Sequence, residues 1–252
     1  MLDSLLVYLG LALTGAGLIS VVRPLRLLRI RTRPRGALVA LSGLLVMAIG
    51  LAWPVAEKRA SRRTTKLDEW MPVWQFDERH TTHVDAPPER VFAAIHAVSA
   101  SEISWFRTLT AIRRFGRRGP ESILNVPEKQ PLLDVATRTG FIFLTDDAPH
   151  ELVVGTAVAA PKSLRRSGLT PEVFRKTLPP GVALATMNFL VTADARGGSK
   201  VSTETRVYAN DASAMRTFAV YWRLIHPGSD IIRRMWLRAI KRRAEGTAAA
   251  PS

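Results

Sequence analysis

The chain has no cysteine among its 252 residues. This excludes a disulfide framework, a thiolate metal site and a cysteine nucleophile, and it leaves the redox compartment open. Acidic residues are scarce: 21 Asp+Glu stand against 36 Lys+Arg, a formal charge of +15. Glycine-rich phosphate loops, a nucleophile elbow and a Ser/His/Asp arrangement are missing as well. A strong positive charge suggests nucleic acid or an anionic surface as partner. The mean hydropathy of +0.06 is high for such a charged chain, so the apolar residues must be concentrated somewhere. Arginine outnumbers lysine 29 to 7, a usage that fits a GC-rich, bacterial genome.

The apolar residues lie at the N-terminus, in uncharged runs of 19 residues at 4–22 and 20 residues at 37–56. Each is long enough to cross about 30 Å of hydrocarbon, and both are apolar all round rather than striped. Two transmembrane helices are expected. A cleaved signal peptide fits less well, because Met1-Leu2-Asp3 has no Lys or Arg and no A-x-A site follows Val22. Gly10, Gly15, Gly17, Gly43 and Gly50 suit close helix association, and Trp53 sits where an interfacial anchor would.

Between the spans, Arg23, Arg26, Arg29, Arg31, Arg33 and Arg35 form a loop with no acid. By the positive-inside rule that loop stays cytoplasmic, which sends the rest of the chain to the extracytoplasmic side of the inner (cell) membrane. Lys58, Arg59, Arg62, Arg63 and Lys66 follow the second span and pull the other way. The six loop arginines with Arg62 and Arg63 are the expected contacts to lipid headgroups. Residues 1–66 carry eleven basic and two acidic side chains, a net +9, which leaves +6 for the remainder. The charge is therefore explained by membrane topology, and no nucleic-acid partner is expected. Three segments follow: a hairpin with its juxtamembrane stretch at 1–66, a mixed domain at 67–245 and a disordered tail at 246–252.

Within the domain, 75–84 reads as a strand, and a helix starts at Ala86-Pro-Pro with Val91, Phe92 and Ile95 on one side. A second helical stretch is expected at 99–115, then loop at 116–128. Residues 141–145 and 151–158 form a hairpin around 146–150. The clearest strand pattern pairs 182–194 with 200–210 around Ala195-Arg-Gly-Gly-Ser199. On its second strand Val201, Thr203, Thr205 and Val207 share one face, and Ser202, Glu204, Arg206 and Tyr208 share the other. A long amphipathic helical region follows Asp211, with an expected break at His226-Pro-Gly-Ser-Asp230. This order predicts an α+β fold: an antiparallel sheet curled around a long C-terminal helix, with a cavity between them.

Three segments carry a family resemblance. They are His83-Val-Asp-Ala-Pro-Pro-Glu-Arg-Val-Phe, Ser202-Thr-Glu-Thr-Arg-Val and Phe218-Ala-Val-Tyr-Trp-Arg-Leu-Ile-His-Pro-Gly-Ser-Asp-Ile-Ile-Arg-Arg. Together they resemble the SRPBCC superfamily of START domains and polyketide cyclases, over roughly 75–245. The resemblance implies a helix-grip fold whose elongated apolar cavity holds lipids, polyketides or other hydrophobic molecules.

Catalytic signals are few. His80 and His83 are three apart in a strand and point to opposite faces, so they cannot share a metal, and no metal or cofactor is expected. Asp146, Asp147, His150 and Glu151 read as solvated turn chemistry. Glu204 stands mid-strand with Arg206 two residues on, a pair able to orient a polar head or act as a general base, or simply a cross-strand ion pair. Trp105, Phe141, Phe143, Met187 and Trp222 are the expected apolar lining of the cavity, with Glu204 and Arg206 as its polar members.

Three functions follow. The first is a membrane-anchored module that binds a hydrophobic or amphipathic small molecule, such as a lipid, with membrane lipids around it. The second is a membrane protein interaction or regulatory module, aided by helix association in the membrane. The third is a cyclase- or dehydratase-like enzyme. Binding without catalysis is the leading expectation.

Overall fold

The structure is a computed structural model and describes residues 2–25, 30, 32–114, 116–117, 119–160 and 169–246. The two apolar runs form α1 (Leu2–Val22) and α2 (Arg33–Ala52), both long and apolar enough to cross a membrane. They pair antiparallel along a seam of small residues. A Cβ on Gly17 would lie 2.3 Å from the backbone nitrogen of Ala40, and one on Gly43 would lie 2.5 Å from that of Thr14. Only glycine permits this approach. Gly10 and Gly50 serve the same seam, whereas Gly15 faces open space.

Contacts divide the chain into two compact units, one of Met1–Ala56 with Ala219–His226 and one of Glu57–Phe218 with Pro227–Ser252. In the second unit the juxtamembrane residues pair Lys58–Arg59 (β1) with Val73–Trp74 (β2) and form a short helix, α3 (Lys66–Trp70). Then come β3 (Phe76–Val84), α4 (Pro88–Ala97), α5 (Phe106–Arg113), α6 (Leu132–Thr139), β4 (Phe141–Asp147), β5 (Glu151–Ala159), β6 (Ala183–Ala193), β7 (Ser199–Ala209) and α7 (Ala212–Gly246). The fold is α+β. Five antiparallel strands run in the order β3-β7-β6-β5-β4, and the C-terminal half of α7 packs on one sheet face. That face carries Leu152, Val154, Met187, Phe189 and Val201, which meet Trp236, Leu237 and Ile240 of α7 together with Val91, Phe92 and Ile95 of α4. Phe189 and Trp236 form the central edge-to-face pair, their ring centroids 5.0 Å apart.

Three expectations change. The helix proposed at 99–115 is interrupted at 103–105, where Trp105 takes a left-handed φ of 62°, so α5 starts only at Phe106. No helix was expected at α6, whose short stripe of Leu132, Leu133, Val135 and Ala136 is buried. The break at 226–230 does not occur: α7 is one helix of 35 residues with Pro227 inside it. Proline deprives the Arg223 carbonyl of its donor at a cost of about 3 kcal/mol. Burial of Ala219 and Arg223 before it, and of Trp236, Leu237 and Ile240 after it, outweighs that loss. The expected tail lies, from residue 247, outside the described residues.

Candidate functional site

Strand alternation assigns each side chain to a sheet face, and the register aligns them in rows. One row is Glu78 of β3, Thr205 of β7 and Met187 of β6; the next is His80, Thr203 and Phe189. Both rows lie on the face that receives α7, since Phe189 stacks on Trp236 and His80 approaches Asp230. The rows turn from polar at β3 to apolar at β6.

Polar groups converge at the β3 end. His80 Nε2 lies 2.8 Å from Glu78 Oε1 and 3.5 Å from Asp230 Oδ1. Arg234 holds both carboxylate oxygens of Asp230, at 2.8 and 3.1 Å. Arg233 lies in the same region: burial pushes its guanidinium below the usual arginine range, and the nearby Glu78 carboxylate opposes that shift. Five buried polar atoms on these elements have no protein partner among the described residues: Glu78 Oε2, Thr203 Oγ1, Thr205 Oγ1, Arg233 Nη1 and Trp236 Nε1. Each such atom costs about 1–3 kcal/mol unless something outside the chain bonds to it. A cavity of about 380 Å³ lies between β3 and α7, lined by His80, Thr82, Arg234, Leu237 and Arg238 among others; it shares His80 with the cluster, and none of the residues that carry the five atoms lines it.

One ligand atom each from Glu78, His80 and Asp230 falls within 4.8 Å of the others, the spacing of a metal site. The charge distribution opposes a cation there. Asp230 is already matched by Arg234 and Glu78 stands near Arg233, so a divalent ion would meet two guanidinium groups. The cluster sets the acceptors Glu78 and Asp230 beside the donors Arg233 and Arg234.

The seven residues expected to share one cavity do not converge. Met187 lies in the first row and is 5% exposed. Phe141 packs at the edge of the same core. Phe143 and Trp105 are exposed. Trp222 belongs to the other unit, where its ring meets His226. Glu204 and Arg206 point from the opposite face of the sheet, because they alternate with Thr203 and Thr205. There Arg206 is buried and binds Asp68 at 2.8 Å, Glu204 at 2.6 Å and the Met71 carbonyl at 3.1 Å, and it stacks 3.8 Å above the Trp74 ring. Glu151, expected in a solvated turn, is buried on this face and accepts from Lys66 N, Leu67 N and Asn188 Nδ2. These contacts staple the juxtamembrane segment onto the sheet. They border an open cavity of about 520 Å³ lined in part by Arg59, Arg62, Arg79, Ser202, Glu204 and Arg206.

Of the arginines assigned to headgroups, Arg23, Arg33, Arg35, Arg62 and Arg63 are exposed, and Arg26, Arg29 and Arg31 lie outside the described residues. The reading of sequence missed Glu78, His80, Asp230 and Arg233. Asp230 and His80 are far apart in the chain, so spacing offered no signal. The one available hint was the parity that aligns Glu78 and His80 with the threonine face of β7.

No family model and no curated protein matches the chain. Solved structures do. A protein from Mesorhizobium loti is 9% identical over 68% of this chain and 98% of its own, with a TM-score of 0.33. The di-domain ARO/CYC BexL from the BE-7585A biosynthetic pathway is 15% identical over 86% of this chain and 59% of its own, with a TM-score of 0.31. The di-domain ARO/CYC StfQ from the steffimycin biosynthetic pathway is 11% identical over 69% and 52%, also at 0.31.

Proposed function

We propose that the chain is a membrane-anchored binding module of SRPBCC type that accepts a small amphipathic molecule between β3, β7 and α7. The observation that carries this reading is the set of five partnerless buried polar atoms beside Glu78, His80 and Asp230. Arg233 and Trp236 offer donors, the threonines either role, and Glu78 an acceptor, so the ligand's polar end is rich in acceptors, as a carboxylate or a conjugated carbonyl is. Its apolar part faces Leu237, the apolar member of the cavity lining. The cavity that shares His80 with the cluster is within the range of small-molecule sites, about 300–1,000 Å³. The anchor is the α1–α2 hairpin, with its arginine loop cytoplasmic, Arg62 and Arg63 at headgroups and the domain extracytoplasmic. A C-terminal reporter that matures on one side only tests this orientation.

The test of binding uses the full chain in detergent, extracted for small molecules and analysed by mass spectrometry. A co-purifying amphipathic acid or ketone, lost in Arg233→Met, is the expected result. An empty wild-type extract, with no thermal stabilisation by amphipathic acids or ketones, overturns the reading.

A second reading has its own observation. The 2.8 Å contact between His80 and Glu78 is a carboxylate–imidazole dyad beside the same cavity, the arrangement of a general base in a cyclase- or dehydratase-like enzyme. Glu78→Gln that retains ligand but loses its conversion supports it.

A further inference from the structure

The first unit contains a third element besides the two apolar helices, the stretch Ala219–His226 of α7. Arg223 fixes it. This side chain is 2% exposed; its Nε bonds Asp3 Oδ2 at 3.0 Å, Nη1 donates to the Leu51 carbonyl at 2.9 Å and Nη2 to the Trp53 carbonyl at 2.6 Å. Asp3 lies in the first turn of α1, and Leu51 and Trp53 end or follow α2, so all three mark the same end of the hairpin. A second contact comes from further along α1: the Tyr8 hydroxyl donates to the Leu224 carbonyl at 2.5 Å. Tyr8 stands five residues past Asp3, about 7 Å along the axis. The stretch therefore meets the hairpin over the outermost turns of the apolar helices.

Val220, Tyr221 and Leu224 on this stretch are 42%, 38% and 43% exposed. They continue the exposed apolar surface of the hairpin, where Leu5, Tyr8 and Trp53 are 64%, 41% and 40% exposed at the same end. Exposed aliphatic groups beside Tyr and Trp, with one charge neutralised by an internal partner, describe the interfacial layer of a bilayer. We infer that Ala219–His226 is a membrane-seated segment whose Val220, Tyr221 and Leu224 face lipid at the headgroup–acyl boundary. The occupant of this face is the acyl layer. The inference rests on the reading of α1 and α2 as membrane spans and adds a third lipid-contacting element to it.

The chain lacks cysteine, so single cysteines placed at Val220, Leu224, Leu45 and Arg196 report separately. Each variant of the full chain is labelled with an environment-sensitive fluorophore and reconstituted in phosphatidylcholine/phosphatidylglycerol vesicles. Quenching is then measured with lipids doxyl-labelled near the top of the acyl chain and with aqueous iodide. Labels at Val220 and Leu224 should be quenched by doxyl lipid at least about half as strongly as Leu45 and shielded from iodide, as expected for a helix face seated in the interface. If Leu45 is quenched by lipid while Val220 and Leu224 follow the exposed turn residue Arg196, the inference is overturned and the spans stand. If Leu45 also follows Arg196, both fall. A paired measurement on Arg223→Lys separates seating from the loss of the clasp: lipid quenching at Leu224 should persist there, and its disappearance with Leu45 unchanged counts against the segment's own affinity for lipid.

Discussion

Arg206 and Asp68 form an ion pair of 2.8 Å in which both side chains are less than a tenth exposed, on the sheet face turned away from α7. The pair joins the sheet to the segment that follows the α1–α2 hairpin. Asp68 is further held by Thr64 and Thr65 backbone N–H groups. Desolvation raises its pKa, but these bonds and the Arg206 guanidinium more than reverse that and hold it below the usual carboxylate value.

Removing one partner leaves the other charge buried. Arg206→Ala should destabilise the protein by about 3–5 kcal/mol, with Arg206→Met plus Asp68→Leu closer to wild type than the single variants are. Thermal unfolding of the detergent-solubilised chain measures this. A cost for Arg206→Ala no larger than that of an exposed pair would contradict the staple.

The glycine seam makes a sharper demand. Gly43→Val places a Cβ within 3 Å of Thr14 backbone and side-chain atoms, so α1 and α2 must separate. The melting temperature of the detergent-solubilised chain should drop in Gly43→Val, whereas Gly15→Val, with open space around it, should leave it unchanged.

His83 stands between two carboxylates, its Nδ1 2.9 Å from Asp194 and its Nε2 2.8 Å from Asp85. The Asp194 hydrogen bond, and then that of Asp85, raises its pKa above the ordinary 6.5. A raised folded pKa adds stability that is complete below the unfolded value and is lost as pH climbs through the folded one. Asp194, held well below the carboxylate range chiefly by Arg196, acts in the reverse sense: its contribution is present above the unfolded value and fades as pH falls. His83→Gln should therefore flatten the decline in melting temperature on the alkaline side of 6.5 and leave acid unfolding in place.

Thr203 and Thr205 set stability against binding. Replacing both with valine removes two partnerless hydroxyls at nearly constant volume and should raise stability by about 1 kcal/mol or more. The same variant should retain less of the co-purifying molecule in the mass-spectrometric test. Greater stability with undiminished retention would place the ligand elsewhere.

Much of this architecture is legible in the amino acids. The two apolar helices follow from uninterrupted apolarity, and the β6–β7 hairpin follows from a period of two around Arg-Gly-Gly, including which residues share a face. Periodicity separates two faces but does not say which one looks at the helix. The charged face of Glu204 and Arg206 does line a cavity, but one on the side of the segment after α2, and the modest threonine face meets α7. The Glu78–His80–Asp230 cluster depends on β3 lying against a helix more than a hundred residues away, a contact that no local pattern encodes. Pro227 misled for the opposite reason. Its local cost is real, but packing on both sides of it is worth more.

The clasp of Arg223 on the hairpin also orders events during synthesis. Its partner Leu51 precedes it by 172 residues. At roughly 5–20 residues per second, the ribosome needs on the order of ten seconds or more to reach it. The hairpin must therefore form with Asp3 and the last carbonyls of α2 still bonded to other partners such as water. It exchanges those partners for a guanidinium only when the C-terminal helix emerges, so the first element made is among the last to be finished.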